Sequence, residues 1–242
     1  MIHFFILFPI QIIFAATIWQ LMRKYPENIL FRYFTYFIVL WSACTIGVGA
    51  AETFSGRESV VFTTLAFVLP FLYIASSFLW RIPFALYQNE GTYSRFLVFV
   101  TIFLGIFYSL SILVMVQGWW EHTGLLQGIF TYMAQKDNIV KLPNVLFFHM
   151  ITMLAIFLLT GAFFFREAFK TQERKDRTHS LLIGSGLIIV GIAEWYHVVA
   201  LHTANRDFFL ILGFFLVVMG LFYPTWVTPS RSYQEPSDIS TS

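Results

Sequence analysis

Charged residues are scarce in this chain, and their scarcity excludes most water-soluble architectures. Of 242 residues, 12% are charged and 58% are hydrophobic, whereas a soluble domain carries about 25% charged residues. The formal net charge is +2, too small to indicate a nucleic-acid partner. No polar stretch is long enough to fold a second, soluble domain. We therefore expect an integral membrane protein, with the plasma or cytoplasmic membrane as its location and the lipid bilayer as its solvent.

Several chemical motifs are also missing. Cys44 is the single cysteine, so the chain can form neither an intramolecular disulfide nor a thiolate metal site. The last hydrophobic stretch contains no lysine, which excludes a retinal Schiff base there. The sequence contains no His-Glu-x-x-His pattern, histidine-box series or Gly-rich phosphate loop. These absences favour a protein that is not an enzyme.

Seven hydrophobic stretches make up most of what is present. About 20 apolar residues cross a hydrocarbon core of about 30 Å, and uninterrupted runs of this length form helices because every backbone polar group must be satisfied within the segment. The sequence predicts an all-α, seven-helix transmembrane domain over residues 1–229, followed by a disordered cytoplasmic tail over 230–242. The predicted spans are 4–22, 30–51, 60–80, 96–117, 144–165, 180–202 and 207–227.

The basic residues predict the orientation of these spans. Of the 15 Lys and Arg residues, 11 lie in the first, third and fifth loops and the C-terminal tail, and four lie on the opposite side. Basic loops stay in the cytoplasm. We therefore expect the N-terminus outside and the C-terminus in the cytoplasm.

An internal similarity predicts a duplication. Residues 46–52 and 188–194 match at five of seven positions, with an offset of 142, and both segments end in glutamate. Repeat 1 would cover about 1–84 and repeat 2 about 144–228, joined by a linker helix over 94–118. Because one linker helix returns the chain to its starting side, both repeats would share one orientation, as in parallel-repeat transporters.

Ionisable residues on the predicted outer half mark a candidate site. Glu52 and Glu194 are the matched glutamates, and His197 follows Glu194 by three residues, on the same helix face. Buried carboxylates in a membrane usually face the bundle interior or a wet cavity. A carboxylate beside an imidazole can bind a ligand, relay protons or sense them. The simpler interpretation is that Glu194 hydrogen-bonds a neighbouring helix and stabilises packing.

Two further sets of residues give alternative functions. His149 and His197, with His3 as a substitute, could bind haem b or a metal ion, as expected of a membrane subunit of a redox or other multiprotein complex. Basic residues in the fifth loop could instead bind a cytoplasmic partner or anionic lipid, as in a receptor-like protein; they are Arg166, Lys170, Arg174, Lys175 and Arg177. The first hypothesis remains transport or sensing of a small solute, linked to protons, at Glu52, Glu194 and His197.

Overall fold

The computed structural model is helical throughout its regular elements. It describes residues 2–55, 57–87, 91–116, 144–200 and 203–227, and within these the side chains of 8–51, 53–55, 57, 60–87, 91–114, 147–195 and 208–223. No strand occurs in these ranges. The helices are α1 Ile2–Lys24, α2 Ile29–Ser55, α3 Glu58–Leu86, α4 Thr92–Val116, α5 Asn144–Lys170, α6 Arg174–Ala200 and α7 Thr203–Val227.

All seven predicted segments are helical, but several helices extend further than their apolar cores. α5 continues to Lys170 and α6 begins at Arg174, so the predicted fifth loop shrinks to residues 171–173. A helix can continue into the polar interface because its backbone hydrogen bonds are already made, and polar side chains there reach water. The predicted tail, 230–242, lies outside the described residues.

Five described segments are long and apolar enough to cross a membrane, and they belong to α2, α3, α4, α5 and α6. The described part of α7 contributes a shorter apolar helix, Phe208–Tyr223. Large hydrophobic side chains cover much of the outer surface; on α4 alone Phe96, Phe99 and Phe103 are each more than half exposed. Such a surface suits lipid and not water.

Six helices form a ring and the seventh lies outside it. α2 packs between α1 and α3, α6 packs between α5 and α7, and the ring closes where α3 meets α5 and α7 meets α1. α4 packs mainly on α3 and touches α5. The predicted linker helix is therefore peripheral to the ring.

Glycines bring α6 very close to both of its neighbours. A Cβ atom added at Gly184 would lie 3.0 Å from the carbonyl oxygen of Gly161 on α5. One added at Gly186 would lie 2.5 Å from the carbonyl oxygen of Gly213 on α7. In lipid, helices associate through close van der Waals contact because burial of apolar surface gives no advantage over lipid tails. These glycines permit that contact on two faces of α6.

A histidine compensates for a proline near the end of α7. Pro224 has no backbone N–H, so the carbonyl of Gly220, four residues earlier, lacks its usual helical donor. The Nδ1 atom of His179 on α6 lies 2.6 Å from that carbonyl oxygen. Because a carbonyl can only accept, Nδ1 carries the hydrogen. His179 thus binds α6 to α7 at this end of the bundle.

A layer of aromatic side chains lies in the middle of the ring of helices. The ring of Phe37 lies 5.9 Å from that of Phe157 on α5 and 6.4 Å from that of Phe214 on α7. Trp41 contacts Phe157 edge-on at 5.2 Å between centroids, and all four side chains are buried. Edge-to-face and offset pairs of this kind add to the packing energy. These contacts pack α2, α5 and α7 against one another at this level.

Candidate functional site

Glu194 lies inside the ring, just beyond the aromatic layer. Only 5% of the surface of Glu194 is exposed. Gly191, three residues earlier, contacts Phe157 on α5, and Val190, four residues earlier, contacts Gly213 on α7. With 3.6 residues per turn, Glu194 therefore lies on the face of α6 between those two contacts, which is the face toward the bundle interior.

Two neutral polar side chains lie at about the same level. The hydroxyl of Thr45 on α2 lies 3.1 Å from Oε1 of Gln11 on α1, and Gln11 is buried. Phe157 gives a common reference level, because Trp41 on α2 and Gly191 on α6 both contact it. Thr45 lies four residues beyond Trp41, and Glu194 lies three residues beyond Gly191. Thr45 on α2 and Gln11 on α1 thus lie at about the same level as Glu194 on α6, beyond the aromatic layer.

Glu52 does not share that level. It lies eleven residues beyond Trp41 on α2, whereas Glu194 lies three beyond Gly191 on α6. The difference of eight residues is about 12 Å at 1.5 Å per residue. Glu52 is also three residues from the end of α2, so it lies near the end of the bundle and not beside Glu194. Its side chain is outside the described set.

The side chains of His197 and His3 also lie outside the described set. On α6, His197 follows Val190 by seven residues, two turns along the same face, and Val190 contacts α7. The predicted pairing of His197 with Glu194 stays a prediction.

His149 belongs to a second polar cluster, formed by α3, α4 and α5. Its Nδ1 lies 3.0 Å from the hydroxyl oxygen of Tyr73 on α3. The hydroxyl of Tyr108 on α4 lies 3.0 Å from that of Thr152, one turn further along α5. The His149 ring contacts both tyrosine rings, at 5.5 and 5.9 Å between centroids. These contacts join the outer helix α4 to the ring.

The close approach of α4 to α3 depends on a glycine. A Cβ atom added at Gly105 would lie 2.6 Å from Cβ of Tyr73. A larger residue would push α4 away and separate the two tyrosine rings, which lie 5.8 Å apart.

The predicted haem or metal role of His149 stays a prediction. His149 is 4% exposed and its Nδ1 is engaged by Tyr73, which leaves Nε2 as the nitrogen that could bind an iron or another metal ion. Among the described side chains, no group of three or more His, Cys, Asp or Glu residues could hold a metal ion.

The predicted basic contact residues lie on two adjoining helix ends. Arg166 and Lys170 are exposed on the last turns of α5, and Arg174, Lys175 and Arg177 occupy the first turn of α6. Lys170 is already engaged, since its Nζ lies 3.5 Å from Glu167 and 3.2 Å from the hydroxyl of Tyr87 on α3.

No family model, curated protein or solved structure matches the chain. The long apolar helices indicate the class, an integral membrane protein of multi-pass helical type. The particular function must therefore be inferred from the polar residues inside the bundle.

Tyr73, Tyr108 and the aromatic layer were not among the predicted functional residues. A signal was available for the tyrosines, because a phenol hydroxyl within an apolar span requires a hydrogen-bond partner. The identity of the partner depends on which helices are neighbours, and no local pattern gives that.

Proposed function

We propose that the protein crosses the membrane seven times, with its N-terminus outside, and transports or senses a small solute in a reaction linked to a proton on Glu194. The observation that carries the proposal is the burial of this carboxylate on the interior face of α6. An acidic side chain within a membrane bundle is costly, and such residues usually line substrate or proton pathways.

The polar side chains near Glu194 and the aromatic layer support a binding site closed on one side. Glu194, Thr45 and Gln11 supply a carboxylate, a hydroxyl and an amide at one level. Phe37, Trp41 and Phe157 pack against one another beneath them. A solute that entered from the outer end would meet the polar groups first and stop at the aromatic layer. We assign Glu52, nearer the outer end of α2, to the entrance, and His197 to proton exchange with Glu194.

The ring arrangement supports the proposed duplication. If α1, α2 and α3 correspond to α5, α6 and α7, the contact of α3 with α5 corresponds to that of α7 with α1, and both are present. α2 and α6 then occupy corresponding central places in their triplets. The difference in level between Glu52 and Glu194 requires α2 to be displaced along its axis relative to α6.

Transport can be tested in proteoliposomes that contain a pH-sensitive dye. A panel of small cationic, zwitterionic, anionic and neutral solutes is added outside, and the initial rate of lumenal acidification is recorded. For a solute that acidifies the lumen, we expect Glu194→Gln to lower this rate at least tenfold, because glutamine cannot exchange the proton. Solute binding to the purified protein, measured by calorimetry with its proton release, tests the sensing form.

The matched control is Glu173→Gln, which makes the same chemical change at an exposed position between α5 and α6. This variant should keep the wild-type rate. Equal rates for wild type and Glu194→Gln would contradict the proposal.

A further inference from the structure

Arg81 lies within the apolar helix α3, and its guanidinium makes a cation–π contact with an aromatic ring. Its Cζ atom lies 5.8 Å from the ring centroid of Tyr33 on α2. Among the residues that the structure describes, the buried Nε of Arg81 has no hydrogen-bond partner. The described ion pair, Lys170 with Glu167, lies elsewhere. A buried donor without an acceptor is costly and calls for an explanation.

The depth of Arg81 indicates what could supply the acceptor. α3 has 29 residues, about 44 Å at 1.5 Å per residue, so its ends project beyond a hydrocarbon core of about 30 Å. Arg81 lies five residues before Leu86, about 8 Å from the helix end. Its backbone is therefore near the edge of the hydrocarbon, and its side chain can reach the level of the lipid phosphates.

An aromatic patch on α2 and α3, formed by Tyr33, Tyr36 and Phe78, lies beside this guanidinium. The ring of Tyr33 stacks on Phe78 at 6.1 Å, and Phe78 contacts Tyr36 at 5.2 Å. Tyr36 is 38% exposed on the outer surface. Arg32, exposed beside Tyr33 in the chain, adds a second positive charge at the same end of the bundle.

We propose that this aromatic patch and Arg81 bind one anionic phospholipid, with its phosphate on Arg81 and an acyl chain along Phe78 and Tyr36. Arg81 is partly exposed, so a phosphate oxygen can approach its guanidinium; because Nε itself is buried, the side chain would rotate on binding to present Nε–H together with an Nη–H. Arginine binds phosphate through two parallel hydrogen bonds of this kind. The aromatic patch supplies apolar surface for the acyl chain, which free phosphate would not need.

The test is a titration of the purified full-length protein in detergent with phosphatidylglycerol, with bound lipid counted by native mass spectrometry. We expect one tight lipid on the wild type and about tenfold weaker binding for Arg81→Gln, because two charge-assisted hydrogen bonds are lost. Arg81→Lys, which keeps the charge but not the two-pronged geometry, should fall between them and remains informative if Arg81→Gln does not fold.

Arg95→Gln is the matched control, since Arg95 is exposed at the start of α4 near the same end. It should leave the tight lipid unchanged. Equal binding by wild type and Arg81→Gln, or equal losses in Arg81→Gln and Arg95→Gln, would overturn the proposal. Displacement of the lipid by inorganic phosphate at the same concentration would also overturn it, because a soluble anion would then be the ligand.

Discussion

Glu194 and His149 are both buried ionisable residues, but their neighbours give them different roles. Glu194 lies on the interior face of α6, at the level of Gln11 and Thr45. His149 instead points from α5 toward Tyr73 and Tyr108 on α3 and α4. Since His149 contacts both tyrosines, we interpret its cluster as structural and keep Glu194 as the residue of the proposed proton-linked role.

If the His149 cluster is structural, Tyr73→Phe should destabilise the protein. This change removes the hydroxyl that lies 3.0 Å from Nδ1 of His149 and leaves a buried ring nitrogen without that partner. We expect the free energy of unfolding to fall by about 1–3 kcal/mol, measured by denaturation in detergent. Tyr36→Phe, the same change on an exposed ring, should have little effect. Equal stability of the two variants would show that the hydrogen bond does not contribute.

At the scale of helices, α6 is the element most closely held by backbone contact. Gly213 on α7 and Gly186 on α6 face each other, and a Cβ atom added at Gly213 would lie 2.7 Å from Val190 Cγ2 and 2.8 Å from the carbonyl oxygen of Gly186. The sequence shows small residues on α6, but their partners depend on how α5, α6 and α7 pack.

These contacts predict opposite effects for two glycine substitutions. Gly213→Ala forces α6 and α7 apart and should lower the free energy of unfolding by about 1–3 kcal/mol. Gly47→Ala adds a Cβ atom with its nearest neighbour at 3.9 Å, so it should be neutral or stabilising, because alanine favours a helix by about 1 kcal/mol over glycine. Thermal unfolding of both variants checks this, and a more stable Gly213→Ala protein would contradict the packing.

Hydrophobic length alone was enough to predict all seven helices, because lipid leaves the chain few alternatives to helix. The helix ends were less accurate. Arg174 and Lys175 are charged and gave no hydrophobic signal for a helix, although they form the first turn of α6. Charge outside the hydrocarbon is compatible with either a loop or a helix, so composition could not distinguish them.

For the whole molecule, composition predicted a membrane protein, and the long apolar helices agree with that prediction. The spatial equivalence of Glu52 and Glu194 could not be judged from a matched segment, because sequence similarity does not specify how far one helix is displaced along another. Contacts of Trp41 and Gly191 with Phe157 give that displacement. The tyrosine cluster around His149 was missed for a related reason, since it joins three helices far apart in the chain.

The most direct test of a lipid-embedded bundle with a water-accessible interior is cysteine labelling in intact cells. In a Cys44→Ala background, single cysteines replace Glu194, which is 5% exposed, and Ile192, which is 47% exposed. We predict that a membrane-impermeant thiol reagent added outside labels Glu194→Cys but not Ile192→Cys, because the exposed face of α6 at Ile192 is covered by lipid. Labelling of Ile192→Cys without Glu194→Cys, or labelling of Glu194→Cys from the cytoplasmic side alone, would contradict the account.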